Sequence, residues 1–363
     1  MIETAIPREG EELDLPLLHE YLTKVLGLSG ELRISQFPAG SSNLTYLIGY
    51  GRDEFVLRRP PFGNRVTTAH DMRREFDVLS KLSNIYPPAP RPIVFCEDGS
   101  IIGSEFYLME RRDGVVIRGP LSDKQLPYGV SATTWGRFER DRNFQFDVCN
   151  SFVRNLAALH SIEPAAAGIE GLGKPEGYNR RQVEGWTKRY FAAKTHDWPE
   201  LEESIVWLNE SIPLEAGASI VHNDYKFDNV MLDPNDLTSV TAVLDWEMAT
   251  IGDPLMDLGT TLGYWMSRDA GEEMLSMPFN PRVLMENISR RDLIDMYAGA
   301  CGRELPDMLF YYVFGTFKIA VIAQQIYARY VKGFTRDTRF ARFDRFVAAL
   351  GKIGADSIAR GTI

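Results

Sequence analysis

Along the first third of the chain, apolar residues follow a helical period, then an alternating one, then a helical one again. Between Asp14 and Leu26, Leu17, Leu18, Tyr21, Leu22, Val25 and Leu26 predict an amphipathic helix that packs on the first domain. Three strand-like runs come next, Leu32 to Phe37, Leu44 to Ile48 and Glu54 to Arg58. The turn-rich segments 38–42 and 49–53 separate them, so they predict an antiparallel meander. A helix from about Thr68 to Leu82 carries Met72, Phe76 and Leu79 on one face, Thr68 and Asp71 in capping positions, and Glu75 at the edge of the apolar face. Pro-rich residues 86–92 break it, and strands over Ile93 to Glu97 and Glu105 to Glu110 complete a five-stranded sheet with one main helix.

Beyond Arg111 the period is mainly helical, over Phe146 to His160, Arg181 to Thr195, Leu201 to Ile212, Arg291 to Gly299, Met308 to Val331 and Arg339 to Ile353. The expected class is therefore α+β and bilobal, with a small lobe over 1–110, including its leading helix, and a larger helical lobe over 111–363. The stretch from Tyr311 to Tyr330 is very apolar, but Lys318, Gln324, Gln325 and Arg329 interrupt it, which predicts a core helix rather than a membrane span. The start of the chain has neither the basic residues nor the apolar block of a secretion signal.

Composition narrows the function classes. The 363 residues are 44% hydrophobic and 25% charged, as in ordinary globular proteins. With 40 basic against 50 acidic residues the net charge is -10, so no overall positive field draws nucleic acid or an anionic membrane. Cys96, Cys149 and Cys301 stand far apart without a CxxC pair, which suits neither a disulfide framework nor a zinc site and fits a reducing, cytoplasmic location. Gly171 and Gly173 lie outside a strand-to-helix context and predict a turn, not a dinucleotide fingerprint.

The chemistry concentrates in one segment. Val230 to Leu232 and Val240 to Leu244 predict two strands joined by the turn Asp233-Pro234-Asn235-Asp236. Closing that hairpin brings Asn229, just before the first strand, beside Asp245, just after the second. An amide oxygen and a carboxylate are hard donors suited to Mg²⁺ that already carries phosphate oxygens and water. Asp224, five residues before Asn229, lies in the connecting loop where it can face a reacting hydroxyl.

His222 to Asn229 resembles the H-x-D-x-x-x-x-N catalytic loop of kinases, and Leu244-Asp245-Trp246-Glu247 stands in the place of the metal-binding Asp. With Gly252-Asp253-Pro254-Leu255-Met256-Asp257-Leu258-Gly259, the chain is similar to the aminoglycoside phosphotransferase and choline kinase superfamily. It is most similar to the kinase-like domain fused to certain acyl-CoA dehydrogenases, through residues 37–46, 55–61, 311–314 and 327–330. The resemblance spans nearly the whole chain. It implies a protein-kinase-like fold, ATP and Mg²⁺ as cofactors, and transfer of phosphate to a small-molecule hydroxyl.

Under that resemblance Asp224 is the base, Lys226 touches the transferred phosphate, and Asn229 and Asp245 hold Mg²⁺. Gly40, Ser41, Ser42 and Asn43 cover the nucleotide phosphates with backbone N–H groups and hydroxyls, although the single glycine departs from G-x-G-x-x-G. Arg58, where protein kinases have lysine, pairs with Glu75, and its planar fork replaces a compact ammonium. The backbone of Met109, Glu110 and Arg111 forms the hinge that meets adenine. His222 braces the loop and Asp257 anchors it from the next helix, while Glu247 is either a metal or substrate contact or a helix-start carboxylate.

Tyr178, Arg181, Trp186, Trp246, Lys318 and Arg329 are candidates for the substrate side, with core packing as the plain alternative. Arg339, Arg342, Arg345, Lys352 and Arg360 suit an anionic acceptor such as a hydroxyacyl-CoA, beside an aminoglycoside as the other possibility and a solvated helix face as the bland one. A nucleotide-binding pseudokinase or interaction module is the alternative that Arg58 keeps open. A metal hydrolase built on His222 and Asp224 lacks the further ligands it would need.

Overall fold

The structure is a computed structural model that describes residues 4–37, 43–62, 71–119, 126–266, 270–275, 279–302, 304–335 and 337–363. Asp14 caps α1 (Leu15–Leu26) by accepting from Leu17 N–H, with Pro16 in the first turn and Gly27 ending it in the left-handed conformation. The five expected strands are β1 (Leu32–Gln36), β2 (Leu44–Tyr50), β3 (Asp53–Arg59), β4 (Pro92–Cys96) and β5 (Phe106–Glu110). They form one antiparallel sheet in the order β1-β2-β3-β5-β4. The helix between β3 and β4, α2 (Met72–Leu82), starts after the Asp71 cap; Thr68 lies outside the described residues.

Alternation along the strands decides which helix covers which face. Tyr46, Ile48, Leu57, Phe106 and Leu108 share one core with Leu18 and Leu22 of α1. Burying each of those leucines contributes about 1.5–3 kcal/mol. Val56, Tyr107 and Met109 face the other way, onto Met72 and Leu79 of α2, in a core that continues into the helical part of the molecule. One sheet thus packs outward on α1 and inward on the rest of the protein.

The remainder comprises α3 (Ala132–Arg140), α4 (Arg142–His160), α5 (Tyr178–Ala193), α6 (Pro199–Glu210), α7 (Pro254–Tyr264), α8 (Glu272–Leu275), α9 (Arg282–Asn287), α10 (Arg290–Cys301), α11 (Leu309–Val331) and α12 (Phe343–Arg360). Short strands β6 (Ser219–Val221) and β9 (Thr250–Gly252) pair with each other, as do β7 (Val230–Leu232) and β8 (Val240–Val243). The last helix starts at Phe343 rather than Arg339, because Asp337 caps a separate 3-10 turn over Thr338–Arg342.

Helix α11 is long and apolar enough to cross a membrane by length and composition, yet most of it is buried in the protein core. It crosses α7 at very close range. A Cβ on Gly259 would lie 2.2 Å from Tyr311 O, and one on Gly315 would lie 2.1 Å from Gly259 O, so both positions require glycine. Gly173 closes a 3-10 turn over Glu170–Leu172, where a Cβ would meet Thr250 Oγ1 at 2.4 Å. These packed contacts fix α7, and α7 carries two side chains of the site.

Candidate active site

The hairpin closes as its sequence predicts. Val230 pairs with Val243, and Leu244 N–H donates to Asn229 O at 2.8 Å, which sets Asn229 against the residue preceding Asp245. Asp245 itself adopts φ +66°, a left-handed conformation that costs a non-glycine residue about 1–3 kcal/mol and is characteristic of functional sites. Asn229 donates its amide Nδ2 to Asp224 Oδ2 at 2.8 Å and to Asp224 O at 2.9 Å. That orientation leaves the Asn229 amide oxygen without a hydrogen bond among the described residues. Asp245 gives Oδ1 to Arg58 at 2.8 Å, and its second oxygen has no hydrogen bond among the described residues. An amide oxygen and a carboxylate oxygen are therefore available, a donor set that fits Mg²⁺.

Asp224 is held from three sides. Lys226 Nζ lies 2.5 Å from Oδ2, Asn229 shares that oxygen, and the Tyr264 hydroxyl donates to Oδ1 at 2.7 Å. Burial works to raise the Asp224 carboxyl, but the Lys226 charge and hydrogen bond and the Tyr264 hydroxyl outweigh it and hold it below the ordinary carboxylate range. Burial likewise works to lower Lys226, and Asp224 reverses it so that the ammonium stays charged. The side chains of Asp224 and Lys226 are only 14% and 11% exposed.

Loop geometry rests on Asp257 of α7. Its carboxylate accepts His222 N–H at 2.6 Å and Asn223 N–H at 2.7 Å, while His160 Nε2 lies 3.1 Å from the same group. His222 Nε2 is 2.9 Å from Leu244 O, and burial lowers its pKa, so the ring is a neutral brace linking the loop to the hairpin.

The sheet reaches this site through side chains that face inward from β3 and α2. Arg58 Nη2 meets Asp245 at 2.8 Å, and its Nε lies 3.4 Å from Glu75 Oε2. Glu75 also accepts Trp246 N–H at 3.1 Å, Asn43 Nδ2 donates to Glu247 at 2.8 Å, and Arg74 donates to Ala249 O at 2.8 Å. The expected Arg58–Glu75 pair is present, and Arg58 extends it to Asp245. Gly40, Ser41 and Ser42 lie outside the described residues.

Met109 and Glu110 end β5, where Glu110 N–H donates to Arg91 O and its carboxylate accepts from Arg91 N–H, both at 2.9 Å. Arg111 pairs with Glu54. Val115 then bridges to Leu232 in both directions, and Gly114 lies so close to the hairpin that a Cβ would meet Thr241 Oγ1 at 2.4 Å.

Not every residue proposed for the substrate side faces it. Trp246 is buried, with its indole N–H on Val243 O. Tyr178 packs against Gly252 and bonds Asn223, and Arg181 is tied to the carbonyls of Lys174 and Glu176. Trp186 and Lys318 are buried, and Arg329 is exposed. Sequence reasoning missed Tyr264, because its contact with Asp224 spans forty positions; the run Leu262 to Trp265 after Asp257 shows only a helix end.

A five-stranded lobe and a helical lobe meeting at an Asp-Lys-Asn loop and a following Asp define a kinase-like phosphotransferase. The phosphotransferase enzyme family model matches residues 33–277, more than half of the chain, and the protein belongs to that family. Acyl-CoA dehydrogenase family member 11 of Gallus gallus is 32% identical over 362 residues, covering 97% of this chain and 44% of that protein. The chain spans less than half the length of the acyl-CoA dehydrogenase relatives it matches. Among solved structures, an aminoglycoside phosphotransferase candidate from Ralstonia eutropha superposes with a TM-score of 0.74 at 28% identity, covering 96% of this chain and 99% of the other. An aminoglycoside phosphotransferase in complex with ADP and hygromycin B shares the fold, with a TM-score of 0.56 at 14% identity over 94% of this chain and 97% of that one.

Proposed function

We propose that the protein transfers the γ-phosphoryl group of ATP to a hydroxyl of a small molecule, with residues 1–110 as the nucleotide lobe and 111–363 as the catalytic lobe. The convergence of Asp224 with Asn229 and Asp245 carries this reading. Asn229 and Asp245 are the residues that would hold Mg²⁺, which neutralises charge on the phosphate oxygens when bound. Asp224 orients the acceptor hydroxyl and takes its proton. The hydroxyl oxygen forms a bond to the γ-phosphorus as the bond to the β–γ bridging oxygen breaks, and ADP leaves. Lys226 lies next to Asp224 and neutralises charge on the phosphoryl group in flight.

For the acceptor, a hydroxyacyl-CoA accounts for more of the structure than an aminoglycoside. From Asp224, aromatic rings continue through Tyr264, Phe279, Phe346, Phe343 and Phe340, with neighbouring centroids 5.0–6.0 Å apart. That row of packed rings ends at exposed Arg342 and Arg345 and at Arg339, whose guanidinium is paired with Asp337. A basic surface at the end of these packed rings suits an anionic acceptor such as a CoA carrier. The relatives named acyl-CoA dehydrogenases support the same class.

The second reading, nucleotide binding without transfer, is favoured by Arg58, whose guanidinium engages one Asp245 oxygen. Incubation with Mg·ATP and hydroxyacyl-CoAs of several chain lengths, beside a panel of aminoglycosides, tests both. Mass spectrometry should show one added phosphoryl group on a hydroxyacyl-CoA, absent with Asp224→Asn. Phosphorylation of aminoglycosides alone overturns the acceptor, and no transfer to any hydroxyl with intact nucleotide binding supports the second reading.

A further inference from the structure

Lys318 sits in the middle of α11, among apolar residues, and is 1% exposed. Lysine is almost never buried this fully unless it is paired. Here no carboxylate among the described residues lies within ion-pair distance of it. Its ammonium instead donates to a backbone carbonyl, Asn223 O, at 2.6 Å, with Asn223 Oδ1 at 3.4 Å, and lies 5.7 Å from the centre of the Trp186 ring.

The partner carbonyl is unusual in its own right. Asn223 has φ +67°, and among the described residues it and Asp245 are the non-glycine residues with positive φ. Such a conformation persists only where the surroundings over-determine it. Asp257 takes the Asn223 N–H, Met248 O accepts from its side-chain Nδ2, and the Tyr178 hydroxyl donates to its Oδ1. Lys318 holds the carbonyl of the peptide that leads into Asp224 at 2.6 Å, with the Asn223 Oδ1 a longer 3.4 Å away. Without that donor the peptide between 223 and 224 keeps one long tie, from Asp224 N–H to His222 Nδ1 at 3.3 Å, and the backbone that presents Asp224 to Lys226, Asn229 and Tyr264 loosens.

We propose that Lys318 is a positioning residue that sets the direction of Asp224 by locking the left-handed turn at Asn223. Its consequence for transfer rests on the phosphotransferase reading; its effect on the loop does not. Charged groups facing it are Asp257 of α7, Asp224 and Lys226 of the loop, and Arg189 of α5. Burial outweighs the two carboxylates and lowers the ammonium to about 8.

Hydrogen exchange resolved over residues 219–232, compared in wild type and Lys318→Met, tests the loop directly. Loss of a charge-assisted hydrogen bond should speed exchange at Asn223 to Lys226 by about 10- to 100-fold, with α5, α7 and the rest of α11 unchanged. Kinetics on the same pair should show kcat reduced on the order of 10²-fold with KM for Mg·ATP unchanged. Unchanged loop exchange, or exchange rising equally through α5 and α11, overturns the proposal. If wild type transfers no phosphate, the phosphotransferase reading fails while the exchange comparison still decides the role of Lys318. Should Lys318→Met not fold, NMR of ¹⁵N-lysine-labelled wild type decides: a slowly exchanging ammonium titrating near 8 is expected, and a rapidly exchanging one with an ordinary lysine pKa overturns it.

Discussion

Replacing Arg58 with methionine removes the cation that sits between two carboxylates. The Arg58 side chain is 9% exposed and Glu75 is 1% exposed, whereas Asp245 is 26% exposed and partly hydrated. Truncating one partner of a buried ion pair costs about 3–5 kcal/mol, because the other charge stays buried without compensation. Most of that cost falls on Glu75; Asp245 adds less, since water screens it. Arg58→Met should therefore lose about 3–4 kcal/mol in urea unfolding, with a lower midpoint and an unchanged slope. Arg58→Met/Glu75→Gln should regain about half, because the orphaned charge is gone. A loss below about 1 kcal/mol in the single variant, or no recovery in the double, would refute the view that Arg58 is the electrostatic link between the lobes.

Tyr264→Phe removes only the hydroxyl on Asp224 Oδ1; it should cost about 1.5–3 kcal/mol in transition-state stabilisation and leave nucleotide affinity unchanged, as a kcat/KM split would show. Gly315→Ala forces a Cβ to 2.1 Å from Gly259 O, so α7 and α11 must separate, and the variant should lose about 1–3 kcal/mol or more and unfold at lower urea. Lys318 has a folded pKa of about 8 against an ordinary 10.5, so between those values the unfolded chain binds more protons and stability rises with pH. Wild type should gain stability relative to Lys318→Met across that window, and parallel pH profiles would contradict the burial of a charged ammonium.

The parts of this fold that are readable from sequence are those with short-range causes. The α1 stripe, the meander and the Pro-bounded α2 follow from periods of 3.6 and 2, and the Asn229 to Asp245 approach follows from closing one hairpin. What escaped has long-range causes. Helix α3 puts only Trp135 and Phe138 on the core, too few apolar positions for a helical period to show. Strands β6 and β9 are three residues each and pair across a gap containing the whole catalytic loop. The resemblance to kinases pairs Arg58 with Glu75, but its bond to Asp245 depends on how two lobes meet. Lys318 looks like an interruption of an apolar helix until the fold places the Asn223 carbonyl opposite it.

The most direct test of the central claim is the thermal unfolding shift produced by ATP, with and without Mg²⁺, in wild type and Asp245→Ala. A ligand that binds only the native state raises stability by about 2.7 kcal/mol at a hundredfold excess over its dissociation constant. Stability should rise clearly with Mg·ATP and less with ATP alone, and Asp245→Ala should lose the Mg²⁺-dependent part. A shift of equal size in both proteins, or none with wild type at saturating Mg·ATP, would contradict the claim.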